Sequence, residues 1–345
     1  MNTLILEIGS YSIRAAISKD GKTTPMLISS YTHPDSLPSV CTKLPNSGYI
    51  WGEAAKQWIG YKGCLTYDLA ILEKLNNYPK AVADLIAELM NKNDVTDAIM
   101  FVIPAYWTEK EPKKGLLIQA AKDCGIDRVD FITVPVACCN KAANANLSDN
   151  EYMLFYDAGF MGASVSLLQR QHDKIVLVDS VLVEEAGGQN YDNLILQNIN
   201  DKTGRAIEND YERMLYLSDL HEKAVFVKER LSSINECRIP VEKGERIFAL
   251  TAYEWQTMIA PSLGKSFQAC SQILQDNNVE AGNLNQILLY GGTCNIPCIA
   301  EMLLDYAKAQ FGNTVMIYNL SFRTDSAVLP LLGAGIEVQE KEISF

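Results

Sequence analysis

The sequence has no cluster of positive charge. Lysine and arginine number 30 against 42 aspartates and glutamates, which gives a formal net charge of -12. A protein that grips a nucleic-acid backbone needs clustered cations, and the short group of Lys110, Lys113 and Lys114 is typical of the solvated face of a helix. We therefore expect no nucleic acid among the partners of this chain.

Long apolar runs are also missing. The first apolar segment, from Thr3 to Ile8, is short and contains Glu7, so it does not resemble a signal peptide. No uninterrupted apolar stretch approaches the ~20 residues that a helix needs to cross a bilayer. We expect a protein without membrane association, in the cytoplasm.

Histidine is scarce, and Cys-x-x-Cys does not occur. The three histidines stand far apart, and the nine cysteines, an odd number, lie in apolar surroundings. Cys294 and Cys298 could share a helix face, but a zinc site there would lack its other ligands. The cysteines are predicted to be buried thiols in a reducing compartment.

What the sequence does contain is an alternation of strand and helix patterns, over a length that suits two domains. The polar stretch 145–151 is interpreted as the break, so we predict an N-terminal lobe over 1–148 and a C-terminal lobe over 149–345. An apolar strand that ends in acid-x-Gly occurs at 4–9 and again at 154–159, each time followed by a second strand. This repeat predicts an α/β fold built by duplication.

Local patterns predict the remaining elements. Strands are predicted at 99–103, 129–134, 175–183, 237–241, 246–250, 287–290 and 314–318. Helices are predicted at 109–124, 135–143, from about 191, at 212–232, after a Thr251 cap, at 296–311, and from Ser326 with Thr324 or Asp325 as its cap.

Three glycine-containing turns at strand ends have the chemistry of a nucleotide contact. They are Glu7-Ile8-Gly9-Ser10-Tyr11-Ser12, Asp157-Ala158-Gly159 with Gly162 nearby, and Gly291-Gly292-Thr293. Glycine lets the backbone approach a phosphate, and a carboxylate at a strand end can hold a water of hydrated Mg²⁺. Each turn alone is a common hairpin, but their order favours a nucleotide clasped between duplicated lobes.

Short motifs then follow in order along most of the chain. They are P-S-V at 38–40, G-E-A-A-K at 52–56, V-I-P-A-Y-W at 102–107, A-A-K-D-C-G at 120–125, A-G-G-Q-N-Y-D-N at 186–193, K-E-R-L-S-S at 228–233, L-Y-G-G-T-C-N-I-P at 289–297 and D-S-A-V at 325–328. In these motifs the chain resembles the nucleotide-binding (ATPase) domain of the DnaK-type heat-shock protein 70 family, within the actin-like ATPase superfamily.

The resemblance implies a duplicated actin-like ATPase (ribonuclease H-like) fold, with two lobes around a cleft for ATP or ADP and Mg²⁺. Glu7 and Asp157 would hold Mg²⁺ through water. The residues that would contact nucleotide are Gly9, Ser10, Tyr11, Asp157, Gly159, Gly187, Gly188, Lys228, Ser232, Gly291, Gly292, Thr293 and Asp325. Gly187 and Gly188 equally suit an ordinary turn, and Asp325 equally suits a helix cap.

The chain departs from the family at residues that act on the γ-phosphate. Glu7 stands for an aspartate, Tyr11 for a threonine, Ala70 for a lysine, Val134 for a glutamate and Ser164 for a second aspartate, and Phe160 and Met161 interrupt a glycine run. Phosphoryl transfer depends on positioned charge, and each loss is worth roughly 10²-fold or more. The departures predict slow or absent hydrolysis, with Glu7 and Asp157 as the remaining candidates for a catalytic role.

Three functions stay open. The first is a nucleotide-binding switch or partner for a chaperone, a ribosome or another assembly, since the polar tail 336–345 does not resemble the apolar linker that precedes the client-binding domain of the family. The second is an active ATPase with altered catalytic geometry. The third is an actin-like scaffold that binds no nucleotide, which Phe160 and Met161 favour. A sugar or acetate kinase would need a general base that the motifs do not supply.

Overall fold

The computed structural model describes residues 2–29, 33–69, 74, 76–91, 96–107, 110–142, 148–172, 174–203, 210–241 and 246–343. Contacts divide the chain into two compact units. Unit 1 comprises Met1–Asn150, Gln169–Leu177 and Thr324–Phe345, and unit 2 comprises Glu151–Leu168 and Val178–Arg323. The single boundary after residue 148 stays a prediction, and the contact division differs from it in grouping the C-terminal segment with unit 1.

The strands and helices alternate along the chain. The strands are β1 Thr3–Ile8, β2 Ser12–Lys19, β3 Lys22–Pro25, β4 Leu37–Pro38, β5 Val40–Lys43, β6 Tyr49–Trp51, β7 Leu65–Asp68, β8 Ala98–Ile103, β9 Arg128–Thr133, β10 Tyr152–Ala158, β11 Ala163–Gln171, β12 Lys174–Val183, β13 Glu236–Val241, β14 Arg246–Thr251, β15 Leu284–Tyr290 and β16 Met316–Asn319. The helices are α1 Glu53–Lys56, α2 Tyr78–Asn91, α3 Pro112–Asp123, α4 Val134–Ala142, α5 Gly188–Thr203, α6 Asp210–Leu231, α7 Ala252–Asp276, α8 Pro297–Phe311 and α9 Leu329–Ile343.

Unit 1 is built on a mixed sheet in the order β3-β2-β1-β8-β9, with β4 paired to β2. β1 runs antiparallel to β2 and parallel to β8, and β8 runs parallel to β9. Every residue of β8 is buried, as expected for a strand in the middle of a covered sheet. A smaller sheet, β6-β5-β7, accompanies it.

Helix α9 packs on α4 within unit 1, and glycine permits the close approach. Gly333 of α9 lies against the backbone of Ala137 in α4, and Gly335 lies against Thr23 of β3, so that a Cβ on either glycine would collide with those atoms. A helix whose glycines meet neighbouring backbone in this way is fixed in position by shape as well as by apolar burial.

Unit 2 is built on a second sheet with the same relative strand order, β12-β11-β10-β15-β16, and β10, β15 and β16 run parallel in turn. Trp255, Phe248 and Tyr191 are among the largest side chains of its core. Helix α7 begins with a capping box, in which Thr251 accepts from the Glu254 amide and Glu254 accepts from the Thr251 amide.

The prediction of an α/β fold built by duplication is confirmed, since the two main sheets repeat one strand order around the two acid-x-Gly turns. The Thr251 cap is confirmed as well. The last helix differs from the prediction, because Ser326–Val328 forms a 3₁₀ turn and the α-helix begins at Leu329. Asp325 occupies the N-cap position of that turn, as one of the two predicted caps, but its side chain makes no capping hydrogen bond there.

The nine cysteines all lie in the part of the chain that the structure describes, and none is in a disulfide. Six are buried, as predicted, whereas Cys64, Cys124 and Cys298 are half-buried. Burial raises the pKa of Cys294 to about 12, so its thiolate is scarce near neutral pH. Over the described ranges, no helix combines the length and apolar character required to span a bilayer.

Candidate functional site

The first acid-x-Gly turn links β1 to β2 in unit 1. The Gly9 amide donates to the Ser12 carbonyl at 3.1 Å, which closes the hairpin, and the Ser39 hydroxyl donates to the Gly9 carbonyl. The Ser39 amide donates to the Tyr11 carbonyl at 3.0 Å, while the Tyr11 ring is exposed. These bonds fix the backbone of the turn from one side and leave a bulky phenol at its tip.

Glu7 in β1 lies directly opposite Arg14 in β2, so both side chains are on one face of the sheet. Arg14 Nη1 is 3.6 Å from Glu7 Oε2, and the two side chains are only 23% and 10% exposed. Burial raises the pKa of the Glu7 carboxyl, and the Arg14 guanidinium opposes that rise. Sequence reasoning missed Arg14, although the two-residue alternation of β2 around a tight turn already places it on the Glu7 face.

The second acid-x-Gly turn links β10 to β11 in unit 2 and is bound to the start of α5. The Gly159 amide donates to the Gly162 carbonyl at 3.0 Å, as in the first turn. The Gly188 amide donates to the Gly159 carbonyl at 3.0 Å, and the Gln189 amide donates to the Phe160 carbonyl at 2.8 Å. The structure therefore brings together the turn after β10 and the Gly187-Gly188 segment.

Gly187 and Gly291 occupy places where only glycine fits. A Cβ on Gly187 would stand 2.6 Å from the Phe160 carbonyl oxygen, and one on Gly291 would stand 2.6 Å from Asp157 Oδ1. Gly291 also has a φ of 94°, which other residues rarely adopt. Asp157 and Tyr290 are partners in adjacent parallel strands, so the turns after β10 and β15 emerge side by side.

The polar groups of these turns converge on Gly188. A Cβ there would stand 3.2 Å from Thr293 Oγ1, 3.4 Å from Lys228 Nζ and 3.6 Å from the Phe160 Cα. The Thr293 hydroxyl donates to the Gly159 carbonyl at 2.9 Å. Segments far apart in sequence thus meet at one point of unit 2, where sequence reasoning predicted ligand contacts.

Lys228 reaches this point from α6 and is held by Asp192, a residue that sequence reasoning did not assign to the site. Lys228 Nζ is 2.7 Å from Asp192 Oδ1 and donates to the Gly188 carbonyl at 3.4 Å. Asp192 is fully buried, and burial raises the pKa of its carboxyl, against the opposing charge of Lys228. The signal was available in the Y-D-N motif, because an acid on the buried side of a helix needs a partner.

The remaining predicted site residues are not among the groups that converge on Gly188. Ser232 is one turn further along the chain than Lys228, and its hydroxyl donates to the Lys228 carbonyl at 3.4 Å. Gly292 is exposed, with no heavy atom within 4 Å of the position a Cβ would take. Asp325, like Gly9 and Ser10, belongs to unit 1.

The comparisons with known proteins assign the family. A family model described as Hsp70 protein matches residues 71–316, which is most of the chain. The chain belongs to the Hsp70 family. Its α/β architecture, with two sheets of one strand order, is the actin-like ATPase fold of that family, as the motifs implied.

Several curated Hsp70-type chaperones are similar to this chain. The chaperone protein HscA of Buchnera aphidicola subsp. Baizongia pistaciae is 21% identical over 276 residues, which are 76% of this chain and 52% of that protein. The ribosome-associated molecular chaperone SSB of Candida glabrata is 27% identical over 235 residues, 64% of this chain and 37% of that protein. The chaperone protein DnaK of Picrophilus torridus is 25% identical over 244 residues, 66% and 38% respectively. The chain thus matches between about a third and a half of the length of these relatives.

Two of the residues that depart from the Hsp70 motifs lie in the apolar interior. Val134, in place of a glutamate, is the first residue of α4 and is 7% exposed. Ser164, in place of an aspartate, is buried in β11. Ala70, in place of a lysine, lies outside the described residues. Members of the Hsp70 family in general bind ATP or ADP with Mg²⁺.

The acidic residues fit Mg²⁺ poorly in unit 1. Mg²⁺ at nucleotide sites is held by one or two ionised carboxylates together with phosphates. Glu7 instead faces the guanidinium of Arg14, which already supplies its counter-charge, and burial raises the pKa of its carboxyl. In the part of the chain that can be described, no group of three or more His, Cys, Asp or Glu could hold a metal ion. Metal contact by Glu7 and Asp157 stays a prediction. The contact between Arg14 and Glu7 argues against Mg²⁺ binding by Glu7.

Proposed function

We propose that this chain is an Hsp70-type nucleotide-binding module that binds ATP or ADP, hydrolyses ATP slowly or not at all, and acts as a switch or partner for another protein. The observation that carries this proposal is the convergence on Gly188 of the Thr293 hydroxyl, the Lys228 ammonium and the glycine turns of unit 2. The predicted contacts of Gly9, Ser10, Tyr11 and Asp325 belong to the same proposal.

The chemistry of the groups that converge on Gly188 suits the sugar and phosphate parts of a nucleotide. Glycine turns bring backbone close to a ligand, and a hydroxyl and an ammonium supply the polar groups that fix orientation. Lys228 is pre-positioned by Asp192 at 2.7 Å, so that little side-chain entropy is lost when a ligand binds beside it.

Slow hydrolysis follows from what stands at the substituted positions. Val134 and Ser164 place an apolar side chain and a neutral hydroxyl in buried positions where the family carries carboxylates. Neither can position a metal-bound water or stabilise charge at the γ-phosphate. The Gly188 convergence does not involve these positions, so binding can persist where turnover is lost.

The test uses two glycines in equivalent settings. Gly292 and Gly282 lie in the 3₁₀ turns Gly292–Asn295 and Ala281–Asn283, on either side of β15, and neither has a heavy atom within 4 Å of the position that a Cβ would take. A Cβ therefore meets no neighbouring atom at either position, but only Gly292 adjoins the predicted site. Calorimetric titration with ATP and ADP should give binding that Gly292→Leu weakens at least about tenfold, a steric loss of about 1.4 kcal/mol, and that Gly282→Leu leaves unchanged.

The same variants test the partner. One relative is a ribosome-associated chaperone, and a ribosome, a chaperone or another assembly is the proposed class of partner. Affinity capture is carried out with each variant, with and without nucleotide. The amount of partner recovered should depend on nucleotide for Gly282→Leu, and it should not depend on nucleotide for Gly292→Leu. A partner set that ignores both nucleotide and Gly292→Leu contradicts the switch.

A nucleotide-free scaffold is the second candidate, favoured by Phe160. Its backbone is part of the Gly188 convergence, and its carbonyl accepts from the Gln189 amide at 2.8 Å. A bulky residue fixed at this point can occupy space that a phosphate needs. If neither nucleotide gives binding heat and light scattering reveals filaments, the scaffold function is supported and the switch function is contradicted.

A further inference from the structure

A permanent cation stands beside the acidic end of β1. Arg14 Nη1 lies 3.6 Å from Glu7 Oε2 across the hairpin, and the two residues are direct partners in the β1–β2 register. The next pair, Ile8 and Ile13, leads straight into the Gly9 turn that is closed by the Gly9–Ser12 hydrogen bond. The guanidinium is thus held at the base of the predicted phosphate-binding turn.

A second cation at this place meets electrostatic opposition. Two positive charges on one largely buried carboxylate repel each other, and the repulsion is stronger where water is excluded. The Glu7 side chain is 10% exposed, and Arg14 already supplies the charge that a buried carboxylate requires. Mg²⁺, which keeps its waters and binds ionised carboxylates, gains little from Glu7 in this setting.

We propose that Arg14 takes over the charge-neutralising role of a divalent metal at this turn, so that the chain binds ATP or ADP without requiring Mg²⁺. The guanidinium has five N–H donors in a planar fork, so it can contact the Glu7 carboxylate and a phosphate at the same time. Glu7 then orients Arg14 and does not act as a metal ligand. This inference rests on the proposed nucleotide binding.

The experiment is calorimetric titration of the full chain with ADP and with ATP, in excess Mg²⁺ and in EDTA. The wild type should bind with affinities that agree within about threefold between the two conditions, because Mg²⁺ contributes little to binding. That agreement is well below the tenfold difference that about 1.4 kcal/mol would produce. Arg14→Met should lose about tenfold or more in EDTA, the value of one charge-assisted hydrogen bond to phosphate.

Two further variants separate the role of Arg14 from folding. Glu7→Gln/Arg14→Met removes both charges, so that no unpaired buried carboxylate is left, and it should show the same loss of affinity in EDTA with a melting temperature near that of the wild type. Arg238→Met removes an exposed arginine that pairs with Glu236 on its own strand, and it should bind nucleotide as the wild type does.

The outcomes distinguish the proposed role of Arg14 from the proposed nucleotide binding on which it rests. No binding under either condition overturns the proposed function and this inference with it. Binding that strengthens tenfold or more with Mg²⁺ in the wild type overturns the role of Arg14 and leaves nucleotide binding intact. Equal affinities in both conditions, with Arg14→Met and the double variant binding as the wild type does, also overturn it.

Discussion

Lys228 and Asp192 form an ion pair in which the acid is fully buried and the lysine side chain is 16% exposed. Lys228→Met keeps most of the length of the side chain and leaves Asp192 without its counter-charge. We expect a loss of about 3 kcal/mol in the free energy of unfolding, the lower end for a broken buried pair because Lys228 retains some contact with water. Urea denaturation measures it. Lys228→Met/Asp192→Asn should recover most of the loss, and a double variant no more stable than Lys228→Met would contradict this account.

The same carboxyl makes stability depend on pH. Because burial raises the pKa of Asp192, the folded protein keeps this proton to higher pH than the unfolded chain does. Its contribution to stability is therefore greatest below the unfolded pKa of about 3.9 and declines as pH rises through the higher folded value. Asp192→Asn removes this decline. In urea denaturation at about pH 4 and about pH 8, the stability of the variant relative to the wild type should be greater at the higher pH. An unchanged difference would contradict the raised pKa.

At the scale of single residues, the sequence predicted which glycines lie at the candidate site, but not the charged residues that lie beside the predicted site residues. Gly187 and Gly291 could be singled out, because a glycine in a turn signals close backbone approach whatever surrounds it. Asp192 and Arg14 could not be assigned in the same way, because their roles depend on which residue faces them. Arg14 faces Glu7 because of the hairpin register, which the turn alone fixes. Asp192 and Lys228 are far apart along the chain, and only the packing of the whole fold brings them together.

At the scale of single helices, two glycines predict opposite effects of one substitution. Gly264 lies within α7 with no heavy atom within 4 Å of the place of a Cβ, so Gly264→Ala should stabilise by about 0.5–1 kcal/mol through helix propensity. Gly333 in α9 lies against the Ala137 backbone, so Gly333→Ala should destabilise by about 1–3 kcal/mol through overpacking. Thermal unfolding of each variant measures both changes. A higher melting temperature for Gly333→Ala would contradict the packing of α9 on α4.

Element positions were predicted well where a periodic apolar pattern ended in a strong signal. The strand predicted at 99–103 is Ala98–Ile103, and the helix predicted at 212–232 is Asp210–Leu231. Helix α2 was missed, although its buried residues recur at helical spacing. The last helix starts three residues late, at Leu329, because Pro330 suits a first turn and the preceding 3₁₀ turn ends there.

At the scale of the whole chain, the meeting of two predicted turns could be foreseen because neighbouring parallel strands end at one edge of a sheet. The acid-x-Gly turn after β10 and the Gly-Gly turn after β15 are more than a hundred residues apart, yet the pairing of Asp157 with Tyr290 sets them side by side. Motif order alone therefore indicated a shared site. What the order could not reveal is the chemistry added by residues outside the motifs, above all the cation at Arg14.

The loss of charge at the substituted positions predicts how the whole chain handles ATP. Phosphate release should be at least about 10²-fold slower than for an Hsp70-type chaperone that keeps those charges, measured under identical conditions, because even one missing stabilising group has that effect. Gly292→Leu provides the control at ATP concentrations below the dissociation constant, since it weakens binding at the proposed site without touching the substituted positions. A slow release that Gly292→Leu leaves unchanged comes from a contaminating enzyme. A release as fast as that of the chaperone and abolished by Gly292→Leu would make this chain an active ATPase, with Val134 and Ser164 compensated by residues that its motifs do not include.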